Sequence, residues 1–178
     1  LKERLHELEH QVRDMLVFAR GDLPLPDRLA PKTFFAALRA AAEPHVQGHA
    51  VRWQCDSHTG ELLCNRDTLV GAVLNLVENA LQAAGPQARL KVHLYSRGQQ
   101  LRLCISDNGE GIDSATLERL GEPFFTTKTT GTGLGVAVVK AVARAHQGDL
   151  LLRSRPGRGT CAILTLPLIA AAQPVTQE

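Results

Sequence analysis

An α/β two-layer sandwich, with a mixed and mostly antiparallel sheet carrying helices on one face, is the fold class this sequence predicts. Three observations lead there. Over 66–84, RDTLVGAVLNLVENALQAA, the apolar residues Leu69, Val70, Val73, Leu74, Val77, Leu81 and Ala84 recur at three- and four-residue steps, the helical period. Over 90–105, Leu90, Val92 and Leu94 alternate with Lys91, His93 and Tyr95. After a turn at Arg97-Gly98, Leu101, Leu103 and Ile105 alternate with Arg102 and Cys104, giving a hairpin with one apolar face. Helical and strand segments then follow one another to the C-terminus, an order that puts helices against one side of a mixed sheet.

The length, 178 residues, suits one ordinary domain, and 44% hydrophobic residues can build a core. A net charge of +2 with scattered arginines is no nucleic-acid signature. Cys55, Cys64, Cys104 and Cys161 form no CxxC pair and sit in apolar stretches, which predicts buried thiols in a reducing compartment. No run of about 18 apolar residues exists, so no membrane contact by this chain is expected; a cytoplasmic setting is expected, in a parent protein either membrane-anchored or soluble. The chain starts at Leu1 without a signal peptide and reads as a piece of a longer protein.

In chain order, residues 1–20 place Leu1, Leu5, Leu8, Val12, Met15 and Ala19 on a heptad seam, a helix cut from a longer bundle. Gly21 ends it. Residues 21–31, with Pro24, Pro26 and Pro31, predict an extended linker. Thr33 is the expected cap of a helix to about Val46, frayed by Pro44. His49–Cys55 and Glu61–Cys64 are strand candidates around a turn at Ser57–Gly60. The long helix stops at Gly85-Pro86. After the hairpin, residues 114–120 are a short helix, 121–133 a period-free loop, and Leu134–His146 a helix ended by Gly148. Leu150–Arg153 and Thr160–Leu166 make the last strand pair, and 169–178 a loose tail. The working domain is thus 32–168.

The chemistry gathers at an amide-bearing helix and three glycine clusters. Asn75 and Asn79 are four apart, hence on one helix face, with Glu78 beside them and Gln82 continuing the line. Asn is a poor interior helix former, so a solvated stripe explains tolerance but not placement; the other reading is a set of oxygen ligands for a hard cation such as Mg²⁺, and the helix alone does not decide between them. Asp107-Asn108-Gly109-Glu110-Gly111 follows a strand, where a carboxylate can accept one N–H while Gly109 and Gly111 let a flat ring approach. Gly131-Thr132-Gly133-Leu134-Gly135 runs into a helix N-terminus, a ready phosphate site. Gly157-Arg158-Gly159-Thr160 opens the last strand. Singly, each of these is an ordinary turn sequence. No P-loop is present, and Val136 breaks a dinucleotide fingerprint.

In order, Asn75xxxAsn79-Ala80, Asp107xGly109xGly111, Pro123-Phe124-Phe125, Gly131xGly133xGly135 and Gly157xGly159-Thr160 resemble the ATP-binding domain of sensor histidine kinases, in the wider gyrase, heat-shock chaperone, histidine kinase and mismatch-repair (GHKL) family. The likeness covers about residues 32–168. The phrases MLVFAR, at 15–20, and EPFFTTK-TTGTGLG are similar to the nitrogen-regulation type, flagellar-regulatory members included. The resemblance implies the Bergerat ATP-binding fold, ATP and Mg²⁺ as cofactors, and a homodimer through the N-terminal helix. It also implies a response regulator's receiver domain, of the NtrC type, as partner.

The resemblance makes Asn79 the Mg²⁺ ligand and Asn75 its partner near the phosphates. Asp107 would read the adenine amine, with Gly109, Gly111 and Ile112 near the base. Lys128 would be the lid cation, Gly131, Thr132, Gly133, Leu134 and Gly135 the phosphate cradle, and Thr160 a hydroxyl support for the adenine site. Phe124 and Phe125 would anchor the lid. Gln82 stands where relatives carry a basic phosphate contact, Val136 where they carry Leu, and Gln147 where they carry Gly.

Relatives that hydrolyse ATP use a carboxylate where Asn75 stands, and an amide is no general base, so negligible water activation is expected. What remains is transfer of the γ-phosphoryl group to a histidine. His6-Glu7 lacks the rest of an acceptor motif, so the acceptor is expected to lie outside this chain. His146, at a helix C-terminus, is expected to favour its cationic form. The alternatives are a GHKL ATPase or serine kinase, and an inactive nucleotide-sensing or docking module.

Overall fold

The computed structural model describes residues 1–5, 23–122 and 135–172. The elements are β1 (Asp27–Leu29), α1 (Pro31–Val46), β2 (Ala50–Asp56), β3 (Leu62–Cys64), α2 (Arg66–Ala84), β4 (Arg89–Arg97) and β5 (Gln100–Asp107). These are followed by α3 (Ser114–Arg119), α4 (Gly135–Ala145), β6 (Asp149–Arg155) and β7 (Gly159–Pro167). Five strands form one sheet in the order β2-β4-β5-β7-β6, and β1 and β3 form a separate antiparallel pair. Only β2 and β4 run parallel within the large sheet; its other neighbours are antiparallel.

The core lies between one face of this sheet and the helices. Phe34 and Leu38 of α1, and Leu69, Val73 and Val77 of α2, are buried with Val139 and Val142 of α4. They meet Val92, Leu94, Leu103, Ile105 and Leu164, the inward-facing members of the strand alternation. Each such side chain contributes about 1.5–3 kcal/mol by leaving water. The two-layer sandwich and the helical and strand periods are thus as the sequence predicts.

Several local expectations are corrected. The stretch 21–31 is not all linker: Asp27–Leu29 is a strand, paired through Asp27↔Cys64 and Leu29↔Leu62. Pro31 does not exclude a helix but starts one, since the N–H it lacks has no helical partner in the first turn. Thr33 is therefore not the cap of α1; Ala30 is, without a side-chain bond. α1 does end at Val46, as expected, with Pro44 inside it. β2 and β3 do not form a hairpin with each other, because each pairs with a distant strand. The tail is docked at its start, where Ile169 and Glu61 exchange backbone hydrogen bonds of 2.9 Å. Arg28 Nε donates to Glu61 at 2.8 Å, and the Ala172 N–H donates to Glu61 Oε1 at 3.1 Å.

Of the cysteines only Cys64 is fully buried, which pushes its thiol up to about 11. Cys104 and Cys161 lie partly exposed on the sheet face without helices. Among the described residues no helix is long and apolar enough to cross a membrane. Leu5 donates to the Leu1 carbonyl in a helical turn; His6, His10 and the rest of the heptad seam lie outside the described residues.

Candidate functional site

α2 supplies one side of the site. Asn65 caps it, accepting from the Thr68 N–H at 3.3 Å, and Gly85 ends it with φ 69°. Asn75, Asn79 and Ala83 follow at four-residue steps, so they share a face. At one end of that face stands the start of α4, where a Cβ on Gly135 would lie 3.8 Å from Asn79 Nδ2. At the other end a Cβ on Gly109 would lie 2.9 Å from the Ala83 carbonyl oxygen. The loop after β5 and the N-terminus of α4 therefore flank the same short stretch of α2.

Asp107 ends β5 and is gripped by backbone. Its Oδ1 accepts from the Gly109 N–H at 2.8 Å and the Thr160 N–H at 3.2 Å. Burial raises its pKa above the ordinary aspartate value, while those two bonds pull it back. The glycines permit this closeness. Gly159, at φ 79°, lies so near the Asp107 carbonyl that any Cβ would overlap it. Gly111, at φ 77°, stands in the same relation to the Arg155 carbonyl, and Gly157 donates to the Glu110 carbonyl at 2.6 Å. The loop 108–112 thus packs on the turn between β6 and β7.

Two residues that sequence reading passed over organise this corner. Ser154 Oγ accepts from the Ile112 N–H at 2.8 Å, lies 2.7 Å from Thr160 Oγ1 and donates to the Gly159 carbonyl at 3.0 Å. The Thr160 hydroxyl is therefore engaged with Ser154, and Thr160 supports Asp107 through its amide. Asn108 Oδ1 accepts from the Arg89 N–H at 2.7 Å and its Nδ2 donates to the Gln87 carbonyl at 3.1 Å, which ties the loop to the start of β4. Asn108 carried a signal, since Asn after a strand often binds local backbone. Ser154 carried none beyond its place opposite Thr160.

Glu78 points away from the face of Asn75 and Asn79. It lies 3.1 Å from His45 Nδ1 at the end of α1. Gln82 is exposed and lines the open groove that also holds His45, His49 and Glu78. Among the described residues no three His, Cys, Asp or Glu side chains converge to hold a metal. A cation here would draw on the amide oxygens of Asn79 and Asn75 and on a ligand's oxygens, which is how Mg²⁺ commonly binds. Pro123, Phe124, Phe125, Lys128, Gly131, Thr132, Gly133 and Leu134 lie outside the described residues.

His146 is not the cation its helix end suggested. It is 3% exposed, Nδ1 lies 2.7 Å from the Val142 carbonyl, and Nε2 accepts from the Asn65 N–H at 3.1 Å. A carbonyl can only accept, so the proton sits on Nδ1 and the ring is neutral. Burial lowers its pKa accordingly.

Residues 64–170 match the model of the family described as histidine kinase-, DNA gyrase B- and HSP90-like ATPases. The chain belongs to this family. Several relatives place it further. The chain is 80% identical over 172 residues to the sensor protein kinase FleS of Pseudomonas aeruginosa, covering 97% of this chain and 43% of that one. It is 38% identical over 117 residues to the histidine-protein kinase AtoS of Escherichia coli K12, covering 65% of this chain and 19% of that one. The chain thus spans less than half the length of these relatives.

In fold, this ATPase-family domain is similar to the catalytic domain of histidine kinase ThkA, at TM-score 0.71 and 23% identity, over 80% of this chain and 95% of that one. It is also similar to full-length ShkA in complex with AMPPNP, at TM-score 0.79 and 24% identity, over 96% and 37%.

Proposed function

We propose that this chain is the ATP-binding catalytic domain of a two-component sensor histidine kinase, of the nitrogen-regulation and flagellar-regulatory type. One observation supports this most. Asn79 and Ala83, on one face of α2, adjoin the N-terminus of α4 and the Asp107 loop respectively. A nucleotide laid along that face meets a carboxylate at its base end and helix N–H groups at its phosphate end.

In this reading Asp107 accepts from the adenine amine through Oδ2, its Oδ1 being held by Gly109 and Thr160. Gly109, Gly111 and Ile112 border the base. Asn79 holds Mg²⁺ with Asn75 beside it, and the metal neutralises phosphate charge when bound. Gly131, Thr132, Gly133, Leu134 and Gly135 cradle the phosphates, Lys128 adds a cation, and Gln82 leaves one customary positive charge out. The γ-phosphoryl group goes to a histidine on a dimerisation hairpin whose last helix is residues 1–20. It then passes to the receiver aspartate of a response regulator of the NtrC type. The kinase works as a homodimer with this domain in the cytoplasm.

Water is not the acceptor. Asn75 cannot take a proton, and Glu78 is turned to His45. Incubating the chain with Mg-ATP and a separate hairpin domain bearing its histidine tests the reading. Label on that hairpin and none on His6 is expected. No transfer, together with nucleotide affinity indifferent to Mg²⁺, would leave only an inactive sensing module. Steady ATP hydrolysis lost in Glu78→Ala but kept in Asn75→Ala would make the chain a hydrolase.

A further inference from the structure

We propose that His146 is a positioning residue that couples the linker to the nucleotide site by holding α4 in register against α2. The inference rests on the site proposed above. α2 and α4 lie antiparallel, since Gly135 at the start of α4 adjoins Asn79 while His146, just past its end, meets Asn65 at the start of α2. Between these two contacts α4 runs 11 residues, or about 16 Å, and its buried face is Ala137, Val138, Val139, Val142 and Ala143. Apolar packing on that face is non-directional, and the bond at the His146 end adds a directional contact that fixes one register.

The same knot holds the linker. Asn65 Nδ2 donates to the Pro24 carbonyl at 3.2 Å, and the next amide, Arg66 N–H, donates to Asp27 Oδ2 at 2.9 Å. Asn65 therefore faces three ways: its side-chain oxygen caps α2, its side-chain nitrogen holds the linker, and its backbone N–H is held by His146. A pull on residues 24–27 bears on the N-cap of the helix that carries Asn75 and Asn79. Through His146 it also bears on the helix that starts at Gly135. His146 touches neither nucleotide nor metal and acts through these two helices.

The test measures affinity of this chain for a non-hydrolysable ATP analogue with Mg²⁺. His146→Leu, which cannot accept from the Asn65 N–H, should weaken binding by roughly tenfold, within the usual range of coupling between sites. His146→Gln, whose amide oxygen can accept that bond, should stay within about threefold of the parent. Val142→Ala, which thins the same helix, should lower the melting temperature yet leave affinity unchanged. Asp27→Ala should weaken binding in the parent and add nothing to His146→Leu.

Parent-like affinity in either His146→Leu or Asp27→Ala overturns the inference, as does an equal loss in Val142→Ala. If His146→Leu fails to fold, His146→Gln and Asp27→Ala decide alone: parent-like Asp27→Ala affinity overturns it. Asp107→Asn separates the two readings. Retained binding there defeats the site itself, whereas lost binding there with parent-like His146→Leu defeats only the coupling.

Discussion

Replacing Asp107 by Asn is the sharpest probe of the site. Both partners of Oδ1, the Gly109 and Thr160 amides, are donors. An asparagine must therefore keep its oxygen where Oδ1 is and put its NH₂ group where Oδ2 was. In the proposed site that group then faces the adenine amine, donor against donor. The change forfeits a charge-assisted hydrogen bond, about 1.5–3 kcal/mol, and leaves a desolvated donor unpaired, about 1–3 kcal/mol more. The sum, about 2.5–6 kcal/mol, weakens nucleotide binding by a factor of roughly 10² to 10⁴. Stability should move the other way. Burial raises the Asp107 pKa in the folded chain, so its carboxylate costs stability at neutral pH, and removing the charge holds or raises the melting temperature. Calorimetric titration with the ATP analogue beside thermal melting reads both quantities. Binding within threefold of the parent, or lost binding accompanied by a collapse in melting temperature, would refute this account of Asp107.

Other substitutions follow from the same corner and from α4. Gly159→Ala combines a positive φ with overlap on the Asp107 carbonyl, so it should destabilise by about 3 kcal/mol or more in denaturant titration. Gln147 holds φ 58° on an exposed position, and Gln147→Gly should stabilise by about 0.5–1 kcal/mol in the same titration. The depressed His146 pKa means that the unfolded chain binds the proton more readily. Stability should fall as pH drops below about 6.5, levelling off below the folded value. Urea midpoints measured across that range should show the slope in the parent, and a smaller one in His146→Gln.

Much of the fold could be read locally. The apolar steps of α2 and the alternation of β4 and β5 are properties of neighbouring residues, and a two-residue turn at Gly98 joins that hairpin. Non-local pairings left no such trace. β1 has three residues and owes its strand to Cys64 and its neighbours. β2 pairs in parallel with β4 across the whole of α2, with no turn to announce it. The glycine clusters and amides marked the site because a motif concentrates several residue types at fixed spacing. Ser154 escaped, and His146 was misread as a cation, because their roles rest on contacts the fold makes between distant residues, Ser154 to Ile112 and His146 to Asn65.

Among the described residues the sheet ends in two edge strands, β2 and β6, each paired on one side. Both carry exposed charges along their length: Arg52 and Asp56 on one, Asp149, Arg153 and Arg155 on the other. A neighbouring molecule that tried to add a strand there would have to strip water from these groups. The charges at its two rims therefore guard the sheet against edge-to-edge aggregation.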